Sequence, residues 1–122
     1  MAQHNDTGKW GEEVAAGLLV GMGYAIVARD VKVGRVEIDI IASYAGRICF
    51  VEVKTRSSDF VDPLEAVDTR KRARMVRAAD TWMQGARVEL EYQFDIILIT
   101  GTPDNYTVEH IPDAFFPALS AR

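Results

Sequence analysis

The chain has 122 residues, of which 48% are hydrophobic, 14 are basic and 18 are acidic, giving a net charge of −4 at pH 7. This length fits one domain and excludes an enzyme with a separate cofactor module, and the apolar content is sufficient for folding without disulfides or a structural metal. The negative charge argues against a passive, charge-driven coat on DNA, so a nucleic-acid partner must meet a local basic patch.

The first elements in chain order are a helix and a strand. Thr7 can cap a helix over residues 8–21, because apolar residues recur there at helical spacing from Val14 onward. Two glycines end this helix, and residues 24–28 predict a strand.

A hairpin follows this strand. Residues 35–41 alternate apolar and acidic side chains, and residues 47–54 are almost continuously apolar before they become charged, as in a central strand. The short segment between them contains glycine and predicts an antiparallel hairpin, with either a loop over residues 43–46 or a tighter turn at Ala45 and Gly46.

The second half of the chain predicts one helix and two strands. Residues 63–84 return to helical spacing, residues 94–100 form a buried strand, and residues 106–111 form a shorter one. The order α-β-β-β-α-β-β predicts an α/β fold with a central mixed sheet of five strands flanked by helices.

The single cysteine and the placing of apolar residues indicate a compartment. Cys49 cannot form an internal disulfide, which favours the reducing cytoplasm. The longest uncharged stretch, residues 14–28, is shorter than the roughly 20 apolar residues of a membrane helix, and the N-terminus does not resemble a signal peptide. We expect one cytoplasmic domain over residues 1–122, with residues 1–6 disordered and with no membrane partner.

Charged residues of the hairpin carry the functional prediction. Side chains in a strand return to one face at every second residue, so Glu52 and Lys54 share a face. Either turn brings Asp39 onto that face, opposite or diagonal to Glu52, whereas a slip by one residue would move Ile38 and Ile40 out of the core. Two carboxylates so close together on an apolar sheet need a proton or a cation between them.

A hard divalent cation suits this pair of carboxylates. Mg²⁺, or Mn²⁺ in its place, prefers oxygen ligands, which Asp39, Glu52 and the backbone carbonyl of Val53 would supply. With Lys54 countering the charge of a phosphate, such a site is suited to metal-assisted hydrolysis of phosphodiesters. In the alternative, these charges only solvate an exposed face of the sheet, and Lys54 pairs with Glu52.

Five motifs along the chain are similar to those of a known family. They are GxxGE at 8–12, VEIDII at 36–41, FVEVKTR at 50–56, EAV at 65–67 followed by Lys71, and FD at 94–95. Together they extend over nearly the whole chain and resemble the YraN-like family of predicted endonucleases. The resemblance implies the restriction-endonuclease-like PD-(D/E)XK fold and a relationship to archaeal Holliday-junction resolvases.

The resemblance also implies roles for individual residues. Asp39 and Glu52 would be metal ligands, and Lys54 would be the catalytic lysine of the D…ExK motif. Glu12 would be the acid that resolvase-like members carry on the first helix; in the alternative, it is a first-turn glutamate favoured by the helix dipole. The chain departs from the family at Val36, where glycine is usual and where a side chain would narrow the approach of a DNA backbone.

The predicted second helix carries a basic face. Its arginines recur at helical spacing opposite the apolar face, and two further polar residues follow the predicted metal site, where they could reach phosphate. The residues predicted to contact nucleic acid are Thr55, Arg56, Arg70, Lys71, Arg74 and Arg77. In the alternative, the basic stripe is only a solvated outer face.

The remaining residues of chemical interest are expected to be structural. His110 lacks neighbours at zinc-ligand spacing, and Trp10 and Trp82 are expected in the core. Asp95 lies among apolar residues and is expected either to pair with a basic residue such as Lys71 or to help orient the site.

The sequence therefore favours three candidate functions. The first is a divalent-metal-dependent DNA endonuclease, with branched or junction DNA as a candidate substrate. Such an enzyme would be a homodimer if two paired sites cut the two strands. The second is a non-catalytic nucleic-acid-binding or adaptor protein that keeps the nuclease fold. The third is an interaction module that uses neither site and has no affinity for DNA.

Overall fold

The structure, a computed structural model, describes residues 2–57 and 69–115, with side chains from Lys9 onward. Its helices and strands, in chain order, are α1 (Ala2–Gly21), β1 (Ala25–Val33), β2 (Val36–Tyr44), β3 (Arg47–Arg56), α2 (Thr69–Ala86), β4 (Glu91–Thr102) and β5 (Asn105–Phe115). This is the predicted order of an α/β fold. The predicted start of the second helix at position 63 lies outside the described residues.

The five strands form one mixed sheet in the order β1-β2-β3-β4-β5. Neighbouring strands are antiparallel except β3 and β4, which are parallel. A parallel pair requires a crossover connection, and α2 lies in that connection. The predicted five-stranded mixed sheet is confirmed, with β3 as its central strand.

Each face of the sheet carries one hydrophobic cluster and one helix. On one face, Met75 of α2 packs with Phe50 of β3. On the other face, Leu19 of α1 packs with Val51 of the same strand. The two tryptophans pack against these clusters, one on each face, as expected. Within the described residues, no helix is both long and apolar enough to cross a membrane.

The β2–β3 hairpin uses the tighter of the two predicted turns. Tyr44 pairs with Arg47, and Ala45 and Gly46 between them both have positive φ, 53° and 79°. This is the backbone conformation of a type I′ turn, whose twist matches that of the two strands. The turn fixes which residues of β2 and β3 face each other.

Strand β2 changes phase in its first half. Ile38 packs in the cluster beside α2, whereas Ile40 packs in the cluster beside α1. The strict alternation predicted over residues 35–41 is therefore wrong at Asp39. On β1, the pairs on either side of Asp30 place it across from Asp39, and its φ of 53° interrupts the regular pleat of the paired strands.

Strands β1, β4 and β5 are longer than predicted. β1 continues beyond residue 28 and forms a hairpin with β2, and β4 and β5 extend further at both ends. Charged and polar residues at these ends interrupt the apolar pattern from which strands are predicted. Helix α1 begins at Ala2, so Thr7 lies inside the helix and is not its N-cap. The disorder of residues 1–6 stays a prediction.

Candidate metal centre

Asp39 lies where β2 separates from β3. The paired residues of the two strands end at Ile40 and Val51, and beyond them the backbone N–H of Val53 donates a hydrogen bond to Asp39 Oδ2 over 2.9 Å. Continuing the register places Asp39 across from Glu52, and the two carboxyl groups line the same pocket. The predicted meeting of these two carboxyl groups is therefore present, in the directly opposed register.

The cation beside Glu52 is Lys71, from the first turn of α2. Lys71 Nζ contacts Glu52 Oε2, and Glu52 is only 3% exposed. Lys54 lies two residues further along β3, is exposed, and forms no ion pair with another described residue. The alternative in which Lys54 pairs with Glu52 is therefore wrong.

Glu12 and Asp30 add carboxylates to the same place. One oxygen from each of Glu12, Asp30 and Asp39 lies within 4.8 Å of the other two. The inward direction of Glu12 agrees with its predicted role, whereas Asp30 was missed by the sequence analysis. Asp30 adopts a left-handed backbone conformation, which aspartate tolerates better than most residues. This tolerance is the one sequence feature that could have pointed to Asp30, and no sequence pattern specifies where such a conformation occurs.

This crowding changes the acidity of two of the carboxyl groups. Burial raises the pKa of Asp39 to about 8, with a further contribution from the charge of Glu52, against the opposing effect of the Val53 N–H. Burial and the neighbouring Asp30 raise the pKa of Glu12 to about 7, although Arg29 opposes the change. At neutral pH the cluster therefore holds protons that a cation of higher charge could replace.

An unpaired carboxylate oxygen is a second observation that fits a divalent cation in this cluster. Glu12 Oε1 is buried and has no hydrogen-bond partner among the described residues, and the nearest cationic atom, Arg29 Nη2, lies 3.8 Å away. A buried carboxylate oxygen without a donor is costly, and a hard cation would satisfy it. The carbonyl of Val53 is expected on the same side as its N–H, facing Asp39, because both groups of a strand residue point to one neighbouring strand.

The chain is similar to known proteins over nearly its whole length. The uncharacterised protein family UPF0102 matches residues 11–99, a range that includes the carboxylate cluster and α2. The chain belongs to this family. A UPF0102 protein of Bacteroides thetaiotaomicron is 43% identical over 98% of this chain and 99% of its own length. A UPF0102 protein of Phocaeicola vulgatus is 40% identical over 98% of this chain and 99% of its own length. One of Nitratidesulfovibrio vulgaris is 40% identical over 89% of this chain and 83% of its own length.

In this UPF0102 chain, the arginines of α2 flank the cluster. Arg70, Arg74 and Arg77 are exposed, on the side of the helix opposite its buried residues, as predicted. Arg74 lines an open pocket of about 470 Å³ together with Asp39 and Glu52. Positive charge and the carboxylates therefore border one space, which a phosphate backbone could enter from the α2 side.

The two residues predicted to follow the site toward phosphate are engaged inside the protein. Thr55 faces α1, where a Cβ atom on Gly11 would overlap its Cγ2 methyl. Arg56 Nε donates a hydrogen bond to Thr100 Oγ1 over 3.1 Å. Their contact with phosphate stays a prediction.

Asp95 belongs to a separate buried network on the α1 face of the sheet. It is fully buried and accepts hydrogen bonds from Gln93 Nε2, from Tyr24 Oη and from the Asp113 N–H, and His110 Nε2 lies 2.8 Å away. Burial alone would raise the pKa of Asp95, but these partners together lower it. The basic residue beside Asp95 is therefore His110 and not Lys71, which contacts Glu52 on the other face.

Proposed function

We propose that the chain is a divalent-metal-dependent endonuclease that hydrolyses phosphodiester bonds in DNA. The observation that carries this proposal is the group of carboxylates around Asp39, whose pKa is raised to about 8 beside Glu52 and Glu12. Such a group at the border of a basic helix supports chemistry on a phosphate better than a structural role, because it destabilises the metal-free fold.

Asp39, Glu52 and the carbonyl of Val53 are the proposed ligands of Mg²⁺ or Mn²⁺, and Glu12 is close enough to Asp39 to join them. When bound, such a cation would lower the pKa of water and withdraw charge from a phosphate. The Val53 N–H holds the Asp39 carboxylate in one orientation before any ligand arrives. This favours rapid binding with little reorganisation.

The proposed catalytic lysine is Lys54. It follows Glu52 by two residues on β3, and its exposed side chain is open to a substrate. An ammonium at that position would hold a phosphate oxygen and counter the negative charge that develops during hydrolysis. The exposed arginines Arg70, Arg74 and Arg77 would bind flanking phosphates.

Branched or junction DNA is the proposed substrate class, by resemblance to the resolvases. A homodimer would supply two sites for two strands, and the reducing cytoplasm suits the buried free thiol of Cys49. The negative net charge of −4 confines phosphate binding to the α2 face and limits non-specific attachment.

Cleavage of duplex, nicked and four-way-junction DNA tests the proposal. Cleavage should require Mg²⁺ or Mn²⁺, and Asp39→Asn and Lys54→Ala should abolish it. Lys32→Ala removes an exposed lysine of β1 and serves as the matched control for Lys54→Ala. Circular dichroism must show that each variant is folded. Equal cleavage by the wild type and the two site variants would reject the assignment.

A non-catalytic nucleic-acid-binding protein is the second candidate. One observation favours it: Val36, where the family usually has glycine, lines the pocket that Asp39 and Glu52 share. Under this function, DNA binding persists in EDTA, and alanine at Arg70, Arg74 and Arg77 weakens it and flattens its salt dependence. Binding that disappears in EDTA would count against it.

A further inference from the structure

Lys71 and Glu52 differ sharply in their freedom to move. Glu52 is a central-strand residue whose side chain is 4% exposed, whereas 38% of the Lys71 side chain is exposed. Lys71 also lies in the first turn of α2, at the border of the pocket. If the contact between them opens, the lysine has a path to solvent and the glutamate has none.

The lysine ammonium stands where a cation is needed. The register of β2 and β3 places Asp39 across from Glu52, and both carboxyl groups line the same pocket, so their negative charges lie close together. Lys71 Nζ contacts the Glu52 carboxylate of this pair directly. A divalent cation using the same Glu52 oxygen would meet the ammonium, and two cations at such a separation repel each other strongly.

We propose that Lys71 occupies the cation position of the carboxylate site in the metal-free protein and is displaced when a divalent cation binds to Glu52. This inference rests on the proposed metal site. Lys71 is then a positioning residue: it holds Glu52 while the site is metal-free and it weakens metal binding by competing for the same oxygen. Coupling between two binding events is reciprocal. The free energy by which Lys71 weakens metal binding is therefore equal to the free energy by which the metal weakens the contact between Lys71 and Glu52.

The displaced lysine would remain useful. Lys71 is three residues before Arg74 on α2, so the two side chains are neighbours on the helix surface. Once free of Glu52, the ammonium adds a positive charge to the face that carries the exposed arginines. Loading of the metal would therefore strengthen phosphate binding at the same edge of the protein.

Titration of the metal-free protein with Mn²⁺, followed by electron paramagnetic resonance, tests the competition. The titration is carried out at pH 8.5, so that protons on Asp39 compete less with the metal. Oxygen is excluded, because Mn²⁺ is oxidised in air at this pH. Lys71→Met should bind Mn²⁺ at least about fivefold more tightly than the wild type. Lys32→Met makes the same change in net charge at an exposed position of β1 and should leave the affinity unchanged. An affinity of Lys71→Met equal to or weaker than that of the wild type would overturn the inference.

Two further arms separate the possible failures. In the background of Glu52→Gln, Lys71→Met should no longer tighten Mn²⁺ binding. The glutamine oxygen is a weaker ligand and a weaker partner for the ammonium, so Lys71 and the metal no longer compete for a carboxylate. If Mn²⁺ binds neither the wild type nor Lys71→Met, the metal site itself fails, and the proposed function falls with this inference. If Mn²⁺ binds both equally, the metal site survives and only the role of Lys71 is rejected.

A measurement on the wild-type protein does not depend on the folding of a variant. Brief acetylation of lysines, quantified by mass spectrometry with and without Mn²⁺, reports the accessibility of each ammonium. Modification of Lys71 should rise about twofold or more when Mn²⁺ is added, as its pairing with Glu52 is broken, whereas that of Lys32 should not change. Modification of Lys71 that stays constant or falls would contradict displacement.

Discussion

The backbone N–H of Val53 donates to Asp39 Oδ2 at the point where β2 and β3 part. The carboxylate thus replaces the backbone acceptor that the departing strand no longer offers, and an amide oxygen can do the same. The partly buried Val53 N–H remains satisfied in Asp39→Asn but not in Asp39→Ala. This difference allows the charge of residue 39 to be separated from its structural contact.

We therefore expect Asp39→Asn to fold at least as stably as the wild type in the absence of metal, because it removes charge repulsion and keeps the hydrogen bond. Asp39→Ala should lower the free energy of unfolding by about 1–3 kcal/mol, since it leaves the Val53 N–H unpaired. Urea unfolding at pH 8.5 in EDTA measures both. A loss of stability in Asp39→Asn as large as that in Asp39→Ala would show that the hydrogen bond is not the contact that matters.

The stability of the metal-free protein should fall as the pH rises. The pKa values of Asp39 and Glu12 are raised to about 8 and about 7 in the folded state, from 3.8 and 4.5. A raised folded pKa contributes stability that is complete below the unfolded pKa and is lost as pH rises through the folded pKa. Between pH 5 and pH 9 we expect a decrease of about 2 kcal/mol, which is below the full pKa difference because both groups are partly solvated.

Urea unfolding in EDTA across that pH range checks this decrease. Asp39→Asn should reduce the slope, because one of the two titrating groups is removed. The buried carboxyl group of Asp95, whose pKa is lowered, acts only at more acidic pH and provides an internal contrast. A free energy of unfolding that stays constant from pH 5 to pH 9 in the wild type would contradict the raised pKa values.

Much of the fold was accessible from the pattern of apolar residues. The order of the elements, the central position of β3 and the meeting of Asp39 with Glu52 follow from alternation and from a short glycine turn. The phase change at Asp39 was not accessible, because it lies across from a left-handed backbone at Asp30, a conformation that no sequence pattern specifies. The partner of Glu52 was not accessible either, since Lys71 reaches it across the fold rather than along β3.

Two glycines of α1 should respond in opposite ways to alanine. A Cβ atom on Gly11 would overlap the Thr55 methyl group, so Gly11→Ala should destabilise the protein by about 1–3 kcal/mol. Among the described residues, Gly17 has no neighbouring atom within 4 Å of such a Cβ atom, so Gly17→Ala should stabilise α1 by up to about 1 kcal/mol. Thermal unfolding measures both, and Thr55→Ser, which lacks the methyl group, should restore part of the loss in Gly11→Ala.

Substitutions of two arginines of α2 should distinguish an effect on stability from an effect on DNA binding. Arg72 lies over the ring of Phe115, 5.5 Å from its centroid, whereas Arg74 is exposed beside the pocket. Arg72→Ala should lower stability by about 0.5–1 kcal/mol with little change in DNA affinity. Arg74→Ala should leave stability unchanged and reduce the slope of log affinity against log salt by about one. Fluorescence anisotropy at several salt concentrations measures DNA affinity, and thermal unfolding measures stability. A loss of stability in Arg74→Ala or a loss of DNA affinity in Arg72→Ala would contradict these assignments.

The two-residue turn at Ala45 and Gly46 has an influence well beyond its own position. Asp39 lies six positions before Ala45 along the chain, which in an extended strand is a length of roughly 20 Å. Adding or deleting one residue at that remote corner would shift every facing pair of β2 and β3, and would carry Asp39 away from Glu52. Altering the loop length there offers a way to dismantle the acidic centre without replacing any of its members.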